Sequence, residues 1–111
     1  MNGRTMVVAV GADNALHRWD LTTQEPIGAP MTGHTDRIQT LGTATVAGRA
    51  IAVTGSDDAT TRVWDLASGH QIGDPITGHH LQMVTETAGT PVAVTASEDG
   101  IRVWDLTLAT R

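Results

Sequence analysis

The tripeptide Trp-Asp-Leu occurs three times, as Trp19-Asp20-Leu21, Trp64-Asp65-Leu66 and Trp104-Asp105-Leu106, at spacings of 45 and 40 residues. No other feature limits the fold as much. Repeats of this length are single supersecondary units, which bury their apolar faces only by stacking on neighbouring copies. The match extends well beyond the tripeptide. Ile27-Gly28-Ala29-Pro30-Met31-Thr32-Gly33-His34 is answered by Ile72-Gly73-Asp74-Pro75-Ile76-Thr77-Gly78-His79. Gly3, Arg4 and Asp13 correspond to Gly48, Arg49 and Asp58, and a third copy sets Gly89, Thr95 and Asp99 at the places of Gly48, Thr54 and Asp58.

Within each period the pattern is strand and turn. In the middle copy, residues 50–54 are a short apolar run and Ser56-Asp57-Asp58-Ala59 is a turn cluster. Residues 60–64 return to strand, 66–69 turn again, and 70–77 read as a further strand. Pro30 and Pro75 fall inside that last strand, where a missing N–H is tolerated at a sheet edge. No segment sustains a 3.6-residue period or carries helix caps. The chain has three Trp and no Phe or Tyr, so its core is built from Val, Ile, Leu, Ala and Thr, and the branched members of that set favour strands. The apolar run Met6-Val7-Val8-Ala9-Val10 follows Arg4 as in a secretory signal, but it is short and recurs within the repeat, so it reads as a strand.

Four strands per unit, opened by Gly-His and closed by Trp-Asp, resemble the WD-repeat β-propeller family. The resemblance covers nearly the whole chain. The Ile-Gly-x-Pro-x-Thr-Gly-His wording resembles the long WD-repeat arrays of bacterial signalling proteins. It implies an all-β fold: a partial β-propeller of consecutive four-stranded antiparallel blades, in an open arc rather than a closed ring. On the family's frame of strands a to d, blade one spans 1–33 without strand a, blade two spans 34–78 complete, and blade three spans 79–111 without strand d. The expected tally is three, four and three strands. An a-b-c end meeting a b-c-d start would give six strands in one sheet, so the ends do not merge into a neat ring. This favours a fragment of a larger propeller, with open blade faces that leave room for self-association.

The resemblance also implies a hydrogen-bonded tetrad in each full blade. Blade two supplies His34, Thr54, Asp58 and Trp64, and blade three supplies His79, Thr95, Asp99 and Trp104. A buried indole N–H needs an acceptor, a hydroxyl can accept and donate, and an Asp fixes the His tautomer. Blade one has Asp13 and Trp19, but Ala9 stands where the hydroxyl belongs. Family partners bind at loops that here surround Thr35-Asp36-Arg37, Asp57, His80-Leu81 and Glu98, which makes Arg37, Asp57, His80 and Glu98 the partner-facing candidates.

Other chemistries fit less well. His and Asp beside Ser56 or Thr54 suggest a nucleophilic triad, but the set is reiterated with the repeat, as a structural device would be. His79-His80, with His70 and Asp74, lacks the paired spacing of a metal site. Asp57, Asp58, Glu98 and Asp99 lack calcium-loop spacing, and no glycine cluster has the strand–loop–helix setting of a phosphate loop. Net charge is −5, and the seven cations are scattered Arg residues, which argues against a nucleic-acid partner. The chain has no Cys, which removes disulfides and thiolate sites and fits a reducing cytoplasm. The expectation is a protein-interaction scaffold binding other proteins or peptides, with no enzyme activity, cofactor, metal, nucleic acid or membrane. The alternative is a non-autonomous remnant with no independent function.

Overall fold

The computed structural model describes residues 6 to 109; Gly3 and Arg4 of the first repeat lie outside the described residues. The described residues form ten strands and one helical turn. They are β1 (Met6–Val10), β2 (Leu16–Asp20), β3 (Glu25–Pro26), β4 (Ile38–Val46), β5 (Arg49–Ser56), β6 (Thr60–Asp65), β7 (Ile76–Thr77), β8 (His80–Thr87), β9 (Thr90–Ser97), β10 (Gly100–Asp105) and α1 (Leu106–Ala109). They make three antiparallel sheets in chain order: β1-β2-β3, β4-β5-β6-β7 and β8-β9-β10. The all-β expectation and the strand tally of three, four and three are therefore met, and none of the sheets is closed on itself.

Hairpin geometry links the strands. Ala47-Gly48 and Ala88-Gly89 both have positive φ at each residue (50° and 81°, 50° and 82°), the two-residue turn that matches strand twist. Asp closes each copy in the same way. Asp20 Oδ1 accepts the Thr22 N–H at 2.8 Å, Asp65 Oδ1 the Ala67 N–H at 2.9 Å, and Asp105 Oδ1 the Thr107 N–H at 2.9 Å. The Asp of Trp-Asp-Leu is thus a turn former three times over.

One strand is broken. The stretch expected to run over 70–77 pairs at Gln71, opposite Trp64, and again only at Ile76 and Thr77. Gly73 between them is left-handed (φ 70°), and Pro75 brings no N–H to the ladder. The first copy repeats the interruption, with Gly28 at φ 67° and pairing resumed at Met31.

Two apolar layers hold the sheets together. Leu16, Met31, Ala52, Trp64 and Leu66, with Met6, Val8 and Leu41, lie between the first and second sheets. Val46, Ile51, Val53, Val63, Leu81, Ala93 and Leu106, with Val84 and Trp104, lie between the second and third. The second sheet is covered on both faces, so β5 reads as a continuous buried run from Ile51 to Ser56. The outer sheets are covered on one. Gly42 and Gly55 face the third sheet where Val84 and Leu81 press closest: a Cβ on Gly42 would stand 2.4 Å from Val84 Cγ2, and one on Gly55 2.7 Å from Leu81 Cβ. Across the same interface, beside β6 and β7, a groove of about 560 Å³ opens between Val63, Ile72 and Ile76 and Trp104 and Leu106.

Candidate functional site

The second sheet carries a continuous polar chain into its core. His34 precedes β4, Thr54 is on β5, Asp58 is in the β5–β6 turn and Trp64 is on β6. The Trp64 indole N–H donates to Thr54 Oγ1 at 2.8 Å, and the Thr54 hydroxyl lies 2.6 Å from His34 Nε2. His34 Nδ1 lies 3.0 Å from Asp58 Oδ2. A neutral imidazole carrying its proton on Nδ1 satisfies all of these partners at once. Burial holds His34 below its ordinary 6.5, against the opposing hydrogen bond to Asp58, so the ring is neutral at pH 7.

Asp58 anchors the far end. Burial alone would raise its carboxyl. Hydrogen bonds from the Thr60 hydroxyl, the Thr35 N–H and His34 outweigh that and hold it well below the usual carboxylate range. The Thr60 hydroxyl donates to Asp58 Oδ1 at 2.6 Å and lies 3.1 Å from His34 Nδ1, so Thr60 ties both groups together. Sequence reasoning passed over Thr60; its position two residues after Asp58, where a turn hydroxyl can reach back, was the available signal.

The third sheet repeats part of this arrangement. The Trp104 indole N–H donates to Thr95 Oγ1 at 2.8 Å, and Thr95 Oγ1 lies 3.3 Å from His79 Nδ1. The ring presents Nδ1, not Nε2, to the hydroxyl. Asp99, expected as the fourth member, does not join: it is exposed, and its own N–H donates to Ser97 Oγ at 3.2 Å. The turn is one residue shorter. Six positions separate Asp58 from Trp64 but five separate Asp99 from Trp104, and the strand register sets Gly100, which has no hydroxyl, at the place of Thr60. In the first sheet Asp13 instead accepts from His17 Nε2 on β2, at 3.0 Å, a contact that lowers the Asp13 pKa. His17 is thus a second residue that the repeat pattern did not single out.

The chain hydroxyl–imidazole–carboxylate has the connectivity of a nucleophilic triad. Thr54, however, is fully buried and Trp64 occupies its oxygen, which leaves no face for a substrate. Among the described residues no group of three or more His, Asp or Glu is placed to hold a metal ion, and no helix is long and apolar enough to cross a membrane.

The partner-facing candidates fall into two groups, one on the second sheet and one on the third. Arg37 Nε lies 3.7 Å from Asp57 Oδ2, which also accepts from Gln39 Nε2 at 3.0 Å. His80 and Glu98 line a polar groove of about 650 Å³ with His79, Gln82, Ser97 and Asp99. His80-Leu81, expected in a loop, instead opens β8; His80 is exposed, and Leu81 is buried in the core against Gly55. A scan of protein-family models finds no match for the chain, and a search of curated proteins finds none.

Proposed function

We propose that the chain is a run of WD-repeat blades that serves as a protein-interaction scaffold. The observation that supports this most is the repeated Trp–Thr–His hydrogen-bond chain, present at corresponding places in two consecutive stacked sheets. Buried polar chains of this kind fix how a turn, a strand and the entering chain sit together. The surface above them is therefore a rigid platform, on which exposed Arg37, Asp57, His80 and Glu98 recognise other proteins or peptides. Trp and Leu of the second and third copies, with the Asp between them forming the turn, are the stacking element, and the polar chain behind them is structural rather than catalytic. The absence of Cys is in keeping with a cytoplasmic setting.

Proximity labelling in cells tests the scaffold. The wild-type chain is compared with a variant bearing Arg37→Ala, Asp57→Ala, His80→Ala and Glu98→Ala, with folding checked by circular dichroism. Loss of a defined set of neighbours in the variant supports the reading. An unchanged set sinks the assignment of these loops.

A second reading, a non-autonomous remnant, draws on the large apolar side chains left exposed on the two outer sheets, from Val7 and Trp19 to Ile101 and Val103. A cooperative thermal transition from a monodisperse particle would end that reading.

A further inference from the structure

We infer that the groove between the second and third sheets is a binding site for an arginine side chain of a partner polypeptide.

The interface between the first and second sheets shows what such a place holds. Arg18, on β2, lies there at 8% exposure and donates from Nη1 to the Leu66 carbonyl at 3.0 Å. Glycines flank its guanidinium: a Cβ on Gly28 would stand 2.5 Å from Arg18 Nη2, and one on Gly69 2.7 Å. One repeat later this position is Val63. Hydrogen bonding fixes the correspondence as firmly as spacing does. The Ile27 N–H donates to the Arg18 carbonyl and the Ile72 N–H to the Val63 carbonyl, both at 2.7 Å. Gly73 and Leu106 hold the places of Gly28 and Leu66, and with Val63 they line the groove of about 560 Å³. A Cβ on Gly73 would meet nothing within 4 Å. The groove thus lies where Arg18 fills the other interface.

What separates the two interfaces is a residue well inside the chain. In the first, the filling side chain comes from the preceding sheet. The outer segment of the second sheet, from Gln71 to Thr77, is in place and leaves Arg18 that room. In the second, the preceding sheet supplies only the short Val63.

The chemistry of the groove selects the same kind of occupant. Its walls are largely apolar, with Ile72, Ile76 and Trp104 among them, and suit the aliphatic stem of an arginine. The two charged residues that line it, Asp74 and Asp105, are both acidic. Asp74 stands where the first copy has Ala29. Asp105 has Thr90 at the place from which Arg49 reaches Asp65 at 2.7 Å. Arg18 is buried on a carbonyl, with no partner for its Nε among the described residues. An arginine entering the second groove has carboxylates beside it, the acceptors that a guanidinium fits best. A groove of this volume takes more than one side chain, so the occupant is an arginine with its neighbours in a peptide.

Titration of the isotope-labelled chain with acetyl-Ala-Arg-Ala-amide, followed at the tryptophan indole N–H signals, tests this. The Trp104 signal is expected to shift saturably while that of Trp19, which does not line the groove, stays in place. The same peptide with norleucine for arginine is expected to bind several-fold more weakly. Val63→Arg puts the molecule's own guanidinium into the groove and is expected to abolish the shift. Asp74→Lys, at an exposed position, is expected to abolish it too, and it decides the matter if Val63→Arg does not fold. A Trp104 signal that does not shift saturably overturns the inference. So does equal binding of the norleucine peptide, which marks a merely apolar groove, and so does undiminished binding by either folded variant. Arg37, Asp57, His80 and Glu98 do not line the groove, so this site and the loops of the scaffold reading stand or fall separately.

Discussion

Thr54 joins three side chains through one oxygen. Replacing it with Val keeps the volume but leaves the Trp64 N–H and the His34 Nε2 without partners in a dry interior. Each orphaned buried group costs about 1–3 kcal/mol, so Thr54→Val is expected to lower unfolding stability by about 3 kcal/mol in a denaturant titration. Thr95→Val makes the same chemical change where the imidazole contact is 3.3 Å and Trp104 is only half-buried, so its loss should be clearly smaller. Equal losses would mean that the two polar chains are equivalent despite Gly100 at the place of Thr60. The pH dependence follows from the same groups. His34 is held below 6.5 in the fold, so the unfolded chain binds the proton first on acidification; stability is full above about 6.5 and declines below it. Asp58 and Asp65 are also lowered, Asp65 chiefly by its hydrogen bond from Arg49, and their contribution is lost below about 3.8. Thermal melts should therefore show a first drop in Tm between pH 7 and 5. His34→Gln should remove that first drop and leave the second, more acidic one.

The hairpins are the elements whose sequence is least suited to their backbone. Ala47 and Ala88 occupy left-handed positions that Asn or Gly adopts with less strain. Ala47→Asn and Ala88→Asn are each expected to add about 0.5–1 kcal/mol, seen as a rise of a few degrees in Tm. A fall would mean that these turns are held by something other than their local geometry. The repeated turns were legible from periodicity, because a repeat read three times cancels local ambiguity, while the strand order and the tally of three, four and three came from the resemblance to the WD-repeat frame. The broken outer strand was half legible: Pro75 marked an edge, but the left-handed turn at Gly73 that lifts the chain off the ladder has no signature beyond the glycine itself. Asp99 shows a different limit. Alignment put it level with Asp58, yet the stretch from Asp99 to Trp104 is one residue shorter and sets Gly100 where the hydroxyl of Thr60 links carboxylate to imidazole. Position along the chain survived the shortening and hydrogen bonding did not. His17 was beyond the pattern altogether, since it pairs with Asp13 from a strand position where the other copies place Arg.

At the scale of the whole molecule, the second sheet acts as the keel: among the described residues it is the sheet covered on both faces, and both apolar layers need it. Gly42 and Gly55 have a consequence for how such layers can be arranged. They let β4 and β5 approach β8 more closely than side chains would permit, while the same two sheets stand apart beside β6, β7 and β10. Pinched on one side and spread on the other, the pair is a wedge, and a series of wedges must bend. Two absent methyl groups, at Gly42 and Gly55, permit the close approach on the narrow side. Gly42→Ala should force the narrow side open against Val84, costing about 1–3 kcal/mol, and small-angle scattering should then record a straighter, longer particle. If stability falls with no change in shape, the wedge angle is set elsewhere. The curvature of the stack is thus tied to the closest approach of two backbones.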